Sequence, residues 1–234
     1  MYLLIPAAGM GKRMGSPRNK LLLELKGKPL LAWTILAAEA AEKITWIGIM
    51  GQSHDFPFFE EIIAQIKPKK PIRLIQGGQT RQQSVYNGLQ ALPQEADKVL
   101  IHDGARCLVT PQLLNRCAEA LHDCQALIAA VPVKDTIKVV NSDLLITDTP
   151  VRDFLWAAQT PQGFDVKLLK RCHERGLQMG WQVTDDASLL EKCGFPVRIV
   201  MGEETNIKVT TPIDLTIAEF ILNQRYSNSL FSVG

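Results

Sequence analysis

Short apolar runs alternate with longer segments of helical periodicity through the first half of the chain. The pattern predicts strands at residues 2–6, 45–50, 72–75, 98–102 and 126–133. Between them it predicts helices at about residues 29–42, 56–66, 80–92 and 111–122. Strands that alternate with helices are joined by right-handed crossovers and lie parallel to one another. We therefore expect an α/β, Rossmann-like fold, with a mostly parallel sheet flanked by helices.

The alternation stops after Val133, where a segment with a different pattern begins. Residues 134–150 (KDTIKVVNSDLLITDTP) predict two strands around a turn at residues 141–143, with no helix between them. An isolated hairpin is marginally stable in water. This one would leave several apolar side chains poorly covered, namely Ile137, Val139, Val140, Leu144, Leu145 and Ile146. We expect a protruding β-arm at about residues 134–152 that packs on a partner surface, and a second copy of the chain is the favoured partner.

Helical patterns return in the last third of the chain, at about residues 165–178, 184–193 and 212–226. The final helix is predicted to begin with Thr211 as its N-cap and Pro212 at its first position. The sequence contains no internal repeat and no low-complexity linker. We therefore expect a single domain of 234 residues that carries the β-arm.

Composition limits the classes of function. Of the 234 residues, 46% are hydrophobic, which is enough for a packed core. The 26 basic and 24 acidic side chains give a formal charge of +2, and the two signs are mixed along the sequence. Nucleic-acid-binding proteins usually concentrate basic residues on one face, so we expect no nucleic-acid partner. The longest uncharged stretch, residues 82–94, is too short and too rich in glutamine to cross a bilayer, so we expect no membrane partner.

The N-terminus and the cysteines indicate the compartment. The first residues, MYLLIPAAG, enter a strand-like run without the pattern of a signal or transit peptide. We expect a cytoplasmic protein, although a chain from which a targeting segment had been removed would look the same. The cysteines are odd in number and form no CxxC pair; they are Cys107, Cys117, Cys124, Cys172 and Cys193. Such a set favours neither a disulfide framework nor a zinc site.

The strongest chemical signal is a glycine-rich loop at residues 5–20 (IPAAGMGKRMGSPRNK), which follows the first strand. Glycine lets backbone N–H groups approach phosphate oxygens and form an anion-binding nest. The spacing of its glycines does not fit the dinucleotide fingerprint GxGxxG, and Arg13 stands where a Walker loop needs Ser or Thr. A tight turn with solvated charges is the plain alternative. We interpret the loop as a clamp for a triphosphate whose bond is broken, because cations beside the leaving group stabilise its developing charge.

A second signal is the segment HDGAR, residues 102–106, at the end of a strand that we expect to be central. Open α/β sheets bind ligands at the carboxyl ends of their strands. Asp103 is therefore placed to hold Mg²⁺ between phosphates, since a carboxylate is a hard ligand for a hard ion. A strand-end Asp that caps the next turn is an equally good interpretation of this motif alone.

Four further segments carry candidate residues, and each has a plain structural alternative. Residues 77–88 (GGQTRQQSVYNG) place a double glycine before a helix that is predicted to begin near Thr80. The segment TDDAS, residues 184–188, also reads as an ordinary helix start with acidic residues. Lys208 precedes the last helix, and Arg152 follows the predicted arm. Three histidines stand in ordinary polar surroundings and receive no role, namely His54, His122 and His173, because no nucleophile, base and orienting acid form a set.

Together these segments resemble the 2-C-methyl-D-erythritol 4-phosphate cytidylyltransferase family, from residue 5 to about residue 220. The resemblance rests on motifs in the order that the family shows, namely PAAGMGKRMG with Lys20, GGQTRQQSV, HDGAR, PVKDTIK, WAAQTPQGF, TDDAS and NIKVTTPIDL. It implies a nucleotidyltransferase fold, CTP and Mg²⁺ as ligands, and a homodimer joined through the arms. It also implies transfer of CMP onto methylerythritol phosphate with release of pyrophosphate.

The resemblance implies roles for individual residues. Arg13 and Lys20 would stabilise the pentacoordinate transition state at the α-phosphate, and Arg152 and Lys208 would position the attacking phosphate. Asp103 would bind the metal. The sugar-phosphate site would comprise Arg106, Thr136, Arg152, Thr184, Asp185 and Lys208. Either chain of the dimer could supply Thr136 and Arg152 to this site. The nucleotide site would comprise Pro6, Ala7, Ala8, Gly9, Gly11, Gly78, Gln79, Arg81, Ser84, Asp103 and Gly104.

Three other functions stay open on the sequence alone. A ribitol 5-phosphate cytidylyltransferase would share the glycine loop and the strand-end Asp, although IPAAG, TDDAS and NIKVT favour methylerythritol phosphate as the substrate. A sugar-1-phosphate nucleotidyltransferase would differ in using UTP or GTP. A non-catalytic nucleotide-binding module would keep the glycines but would have no reason to keep the four cations Arg13, Lys20, Arg152 and Lys208.

Overall fold

A computed structural model describes residues 1–9 and 19–231, with side chains through residue 227 of the last helix. The strands of this part are β1 (Tyr2–Pro6), β2 (Glu24–Leu25), β3 (Lys28–Pro29), β4 (Trp46–Gly51), β5 (Ile72–Gln76), β6 (Lys98–Ile101), β7 (Ala126–Pro132), β8 (Val139–Val140), β9 (Ile146–Asp148), β10 (Trp156–Asp165) and β11 (Arg198–Met201). The α-helices are α1 (Leu30–Ala40), α2 (Phe56–Ile66), α3 (Arg81–Gln90), α4 (Pro111–Ala120), α5 (Val166–Gln178), α6 (Ala187–Lys192) and α7 (Pro212–Phe231). Short 3-10 turns lie at Lys20–Leu22, Ser53–Asp55 and Arg152–Phe154.

Seven of these strands form one sheet in the order β11-β7-β10-β6-β1-β4-β5. Strand β1 pairs in parallel with both β4 and β6, β4 pairs in parallel with β5, and β7 pairs in parallel with β11. Only β10 runs against its two neighbours in this sheet. The predicted α/β fold with a mostly parallel sheet is confirmed, and β6, which precedes Asp103, lies in the middle of the sheet as expected.

The sheet is covered by helices on both faces. Successive side chains of β1 alternate between the faces, as they must in a strand. Leu3 and Ile5 belong to one buried cluster with residues of α1, α2, α4 and α7. Leu4 belongs to the other, with residues of α3, α5 and α6. The near-continuous apolar run of β1 is therefore what a strand needs when both of its faces are buried.

Two strands of the sheet are absent from the sequence prediction, and two helix boundaries differ from it by three or more residues. The last helix, α7, ends at Phe231 and not at about residue 226. The prediction contains neither β10 nor β11, and its helix at 184–193 begins three residues too early, since α6 starts at Ala187. Strand β10 contains Pro161, a residue that the middle of a sheet normally excludes. The pairing register with β7 shifts between Ala158 and Gln162, so that the proline falls at an irregularity of the ladder.

The hairpin expected after Val133 is present, with β8 and β9 paired antiparallel. Its turn is held by Asn141, whose side-chain oxygen accepts from the backbone N–H groups of Asp143 and Leu145, both at 3.0 Å. The apolar side chains predicted to lack cover are exposed, and the largest exposed fraction among them is the 80% of Leu144. At the base of the hairpin Phe154 is 83% exposed.

Two further features bear on the expectations from composition. Among the residues that the structure describes, no helix combines the length and the hydrophobicity that a bilayer span requires. The cysteines all lie in this part of the chain and are free thiols, three of them buried.

Candidate active site

A cleft opens at the carboxyl ends of β1, β5 and β6. In an open α/β sheet this edge is where ligands bind, because the loops that follow neighbouring parallel strands meet there. One part of the cleft, named here the β1-side cavity, is lined by Pro6, Ala7, Ala8, Gly9, Lys20, Leu21, Gly78, Gln79, Thr80, Arg81, Ser84, Asp103, Ala105 and Lys208. The motifs at the ends of three strands therefore converge on one cavity.

The loop between β5 and α3 is held rigid by its own side chains. The hydroxyl of Thr80 caps α3 by accepting from the backbone N–H of Gln83 at 3.1 Å. Ser84 Oγ accepts from the N–H of Gly78 at 3.0 Å and donates to the carbonyl of Thr80 at 2.9 Å. A Cβ at Gly77 would lie 2.7 Å from Cβ of Ala8, so only glycine lets this loop pass so close to the loop after β1.

Arg81 lies between two carboxylates. Its Nε donates to Asp103 Oδ1 at 3.0 Å, and its Nη1 donates to Asp186 Oδ2 at 2.7 Å. Burial alone would lower the pKa of Arg81, but the two anions outweigh it and raise the pKa above its ordinary value. The guanidinium is therefore a permanently charged group fixed at both ends.

Asp103 is held as an anion by two cations. Its second oxygen accepts from Lys208 Nζ at 2.6 Å. Burial alone would raise the pKa of Asp103, but the charges of Arg81 and Lys208 hold it well below its usual range. A carboxylate oxygen has two lone pairs, so each oxygen of Asp103 keeps the capacity for a further ligand.

A hydrogen-bond chain behind Asp103 fixes its backbone. The ring of His102 is fully buried, and burial lowers its pKa to about 4, so the imidazole is neutral at neutral pH. Its Nε2 lies 3.1 Å from the carbonyl of Arg106, which can only accept, so Nε2 carries the proton. Nδ1 then accepts from the Thr160 hydroxyl at 3.0 Å, and that hydroxyl accepts from the N–H of Asp103 at 3.0 Å. His102 is thus a neutral support for the loop and not an available base.

A second cavity adjoins the first, and we name it the β10-side cavity. It is lined by Arg81, Asp103, Arg106, Ala158, Gln159, Thr160, Gln162, Thr184, Asp185 and Lys208. Three side chains therefore border both cavities, namely Arg81, Asp103 and Lys208. The junction of the cavities carries two cations and one carboxylate.

The polar groups of the β10-side cavity are fixed by strand β10 and by the loop before α7. Gln162 Nε2 donates to Asp185 Oδ2 at 2.8 Å. Arg106 donates from Nη1 to the carbonyl of Asn206 at 2.8 Å and from Nη2 to the carbonyl of Ala158 at 3.2 Å. Its Nε is buried without a protein partner in the described residues. The cavity thus presents one anchored guanidinium beside a hydrogen-bonded carboxylate.

Two lysines reach the cleft from segments far apart in the sequence. Lys20 lies in the 3-10 turn after the glycine loop, and its Nζ donates to the carbonyl of Val209 at 2.9 Å. Lys208 is the residue before Val209, and its Nζ donates a hydrogen bond to Asp103. The loop before α7 therefore brings the two lysines to the same part of the cleft.

The structure brings together most of the predicted site residues. In the β1-side cavity lie the nucleotide-site candidates Pro6, Ala7, Ala8, Gly9, Gly78, Gln79, Arg81, Ser84 and Asp103, with Lys20 and Lys208. In the β10-side cavity lie the sugar-phosphate candidates Arg106, Thr184, Asp185 and Lys208. Gly104 lies beneath the cleft, where its carbonyl accepts from Thr34 Oγ1 at 3.2 Å. The candidates Gly11 and Arg13 lie outside the described residues.

Two predicted residues lie on the arm and line neither cavity. Thr136 is exposed. Arg152 is also exposed, and its Nη1 donates to the carbonyl of Lys134 at 2.9 Å, across the base of the hairpin. Within one chain, therefore, these two side chains are not part of the cleft.

Several residues of the site carry no signal that sequence reasoning used. In the sequence, Asp186 reads only as an acidic residue at a helix start, and Asn19 only as part of the glycine-rich segment. Others support the cleft from strand β10 and from the loop before α7, namely Thr160, Gln162 and Asn206. The motif WAAQTPQGF contains Thr160 and Gln162. Their role in the site becomes visible only because this segment forms a strand that pairs with β6.

The described residues contain no group of three or more His, Cys, Asp or Glu side chains that could hold a metal ion by themselves. Among the described residues that border both cavities, Asp103 is the acidic one. Mg²⁺ is commonly bound through one or two carboxylates together with substrate phosphates and water. An ionised Asp103 with spare lone pairs fits an ion that arrives with a triphosphate, and does not fit an ion held by protein ligands alone.

Comparison with known proteins gives a uniform result. Residues 1–224 match the family model of 2-C-methyl-D-erythritol 4-phosphate cytidylyltransferase. A relative of that name from Crocosphaera subtropica is 72% identical over 97% of this chain and 100% of its own length. One from Synechocystis is 67% identical over 98% of this chain and 100% of its own length. The crystal structure of 4-diphosphocytidyl-2C-methyl-D-erythritol synthase from Anaerococcus prevotii superimposes with a TM-score of 0.86 at 33% identity, covering 95% of this chain and 97% of the other.

Proposed function

The chain belongs to the 2-C-methyl-D-erythritol 4-phosphate cytidylyltransferase family, and we propose that its two cavities divide the two substrates between them. It is a nucleotidyltransferase that moves CMP from CTP to 2-C-methyl-D-erythritol 4-phosphate and releases pyrophosphate. We place CTP in the β1-side cavity and methylerythritol phosphate in the β10-side cavity. The observation that carries this placement is the charged junction, where Arg81, Asp103 and Lys208 border both cavities. Reacting phosphates from the two substrates meet at such a junction.

The β1-side cavity suits a nucleotide. Its walls include small residues that let backbone lie against a flat base, among them Ala7, Ala8 and Gly78. The N-terminus of α3, capped by Thr80, adds backbone N–H groups that favour negative oxygens. Lys20 lies on the other side of the same cavity, where it would face the triphosphate.

The chemistry needs cations more than it needs a base. A phosphate monoester is already a competent nucleophile near neutral pH, so the barrier lies in bringing two polyanions together in line. Lys20 would stabilise the negative charge that develops at the α-phosphate, and Lys208 and Arg106 would hold the incoming phosphate. Arg13 takes the same role as Lys20 by resemblance.

Asp103 would hold Mg²⁺ together with the phosphates of CTP, because it is an ionised carboxylate at the junction with unused lone pairs. When bound, the ion supplies positive charge to the phosphate oxygens of the nucleotide. Arg81 and Lys208 keep Asp103 anionic and in place. The Asp186 carboxylate in turn keeps Arg81 from turning wholly toward Asp103.

The test of function is a coupled assay of pyrophosphate release in which CTP and methylerythritol phosphate are supplied together and then withheld one at a time. Release is expected only when both are present. Binding of CTP without release would identify a binding module instead. Ribitol 5-phosphate, UTP and GTP are the comparison substrates, and faster release with ribitol 5-phosphate would reverse the substrate assignment.

The arm would join two copies of the chain and complete each active site. Its apolar side chains are exposed in a single chain, and a two-fold dimer would cover the same surface on both copies. Thr136 and Arg152 line neither cavity of their own chain. Supply of these two side chains to the partner's cleft would account for the substrate-site roles that the resemblance implies for them.

Mixing of inactive variants tests this arrangement. In a mixed dimer of Lys20→Ala and Arg152→Ala, one cleft carries both substitutions and the other carries neither, if Arg152 acts across the dimer. Random association should then restore about a quarter of the wild-type activity. The control mixture, Lys20→Ala with Lys208→Ala, should restore nothing, because both residues lie in the cleft of their own chain. No restoration in the first mixture would place Arg152 in its own chain's site.

A further inference from the structure

Asn19 is a buried polar residue that none of the predicted roles uses. Its side chain is 2% exposed and makes three hydrogen bonds. Nδ2 donates to the carbonyl of Ala7 at 2.7 Å and to Asp55 Oδ2 at 2.8 Å, while Oδ1 accepts from the N–H of Leu21 at 3.0 Å. We propose that Asn19, oriented by Asp55, is a positioning residue that fixes Lys20 relative to the wall of the β1-side cavity at Ala7. The proposal rests on the role given above to Lys20.

The orientation of the amide follows from its partners. A carboxylate and a carbonyl accept hydrogen bonds, whereas a backbone N–H donates. The NH₂ group of Asn19 must therefore face Asp55 and Ala7, and its oxygen must face Leu21. Asp55 itself is 3% exposed and stands at the start of α2, yet its side chain makes no capping bond to that helix. Its carboxylate is directed to Asn19 instead.

The three bonds join segments that carry different parts of the site. Ala7 follows β1 and lines the β1-side cavity. Asp55 belongs to the turn after β4, and Leu21 follows the lysine. Asn19, which directly precedes Lys20, therefore links the backbone next to the lysine to the wall of the β1-side cavity at Ala7 and to the turn after β4 at Asp55.

Lys20 is then fixed at both ends. At its root, the turn is closed by the N–H of Leu22, which donates to the carbonyl of Asn19 at 3.0 Å, and the Leu21 side chain is buried in the core. At its tip, Nζ bonds the carbonyl of Val209. A lysine side chain has many rotamers, so a cation meant for one phosphate needs its backbone held in this way. Misplacement of a catalytic group by about 1 Å can cost about 100-fold in rate.

Asparagine is required for this clamp because it accepts once and donates twice. Serine could cap the 3-10 turn equally well, but it has one short donor and cannot reach both Ala7 and Asp55. Aspartate could accept from Leu21, but it would place an oxygen against a carbonyl and a second carboxylate. A residue that served only as a cap would tolerate serine, and the clamp would not.

The first measurement compares Asn19→Ala and Asn19→Ser with wild type, at a temperature at which each variant is folded. Both variants are expected to lower kcat about 10- to 100-fold, while KM for CTP changes less than about threefold. A wild-type kcat for Asn19→Ser would show that Asn19 serves only to cap the 3-10 turn. A rise in KM at unchanged kcat would assign Asn19 to the base contacts. Either result overturns the proposal.

The second measurement combines each substitution with Lys20→Ala. Because Asn19 acts through Lys20, Asn19→Ala should slow the Lys20→Ala enzyme by less than about twofold, whereas independent effects would multiply. Multiplied effects would overturn the proposal. If Lys20→Ala alone left kcat unchanged, the role of Lys20 would fail instead, and the two failures are distinguishable.

Asp55→Ala gives the same test without touching the turn. It removes the acceptor that orients Asn19 and, with it, a contact between Asp55 Oδ1 and the exposed ring of His54 at 3.6 Å. We expect kcat to fall in the wild-type background and to stay within about twofold in the Lys20→Ala background. This variant decides the question if Asn19→Ala does not fold. A wild-type kcat for Asp55→Ala would show that the amide needs no orientation, and would overturn that part of the proposal.

Discussion

Lys20→Ala should lower kcat by about 10²- to 10³-fold, the usual cost of removing one donor aimed at charge that develops in a transition state. Lys20 lines the β1-side cavity, and hydrogen bonds hold it at its backbone and at its Nζ. Negative charge grows on the phosphate oxygens as the bond to pyrophosphate breaks, so this cation contributes more in the transition state than in the bound ground state. KM for CTP should therefore change much less than kcat.

The measurement is pyrophosphate release at saturating CTP and methylerythritol phosphate, with the unfolding midpoint of each variant measured alongside. Lys43→Ala is the matched control, because it also removes one positive charge. The Lys43 side chain forms an exposed ion pair with Glu119 at 3.4 Å, and Lys43 lines neither cavity of the cleft. Its turnover should equal that of wild type. Unchanged turnover for Lys20→Ala at saturating CTP would contradict the proposed role.

The sequence predicts strands β1, β4 and β6 well because these strands are continuous apolar runs. Strands β1, β4 and β6 are buried on both faces, and nothing else explains such runs between helical segments. Strand β10 escapes the same reasoning. It contains Thr160, Pro161 and Gln162, and its place in the sheet depends on pairing with β6 and β7 rather than on its own composition.

For the cleft, too, the sequence predicts some of the residues and not others. Residues at the ends of parallel strands, such as Ala7 and Asp103, must meet because the strands are neighbours. The partners that hold them come from distant segments. Asn19 contacts Asp55, and Arg81 contacts Asp186, across 36 and 105 positions of sequence. No local pattern predicts such pairs, since the residue types are common in turns and at helix starts.

The pairing of Arg81 with Asp186 leads to a large expected effect on stability. Asp186 has a side chain that is 1% exposed, and its Oδ1 lies 3.5 Å from Nε2 of the buried His173. Burial alone would raise the pKa of Asp186, but Arg81 and His173 outweigh it and lower the pKa below its ordinary value. Removing one member of a buried ion pair costs about 3–5 kcal/mol. In the Asp186→Asn variant, Arg81 still has Asp103 as a partner. We therefore expect the free energy of unfolding to fall by the lower end of this range, about 3 kcal/mol.

The pH dependence gives this prediction a second signature. A carboxyl group whose pKa is lower in the folded state stabilises the fold above its unfolded pKa, about 3.9, and that contribution disappears as the pH falls through the folded value. The difference in unfolding free energy between wild type and Asp186→Asn should therefore be full at pH 7 and shrink below about pH 4. Titrating groups that contact neither Asp186 nor Arg81 are shared by the two proteins and cancel in the difference.

Urea denaturation of both proteins between pH 7 and pH 3, without nucleotide or metal, measures that difference directly. Glu191→Gln is the control, because Glu191 is an exposed carboxylate on the same helix α6, and it should change stability by less than about 0.5 kcal/mol. A difference of that small size for Asp186→Asn, or one that does not vary with pH, would show that the Asp186 carboxylate does not hold Arg81. Of the carboxylates in the described residues, Asp103 alone would then hold the Arg81 guanidinium.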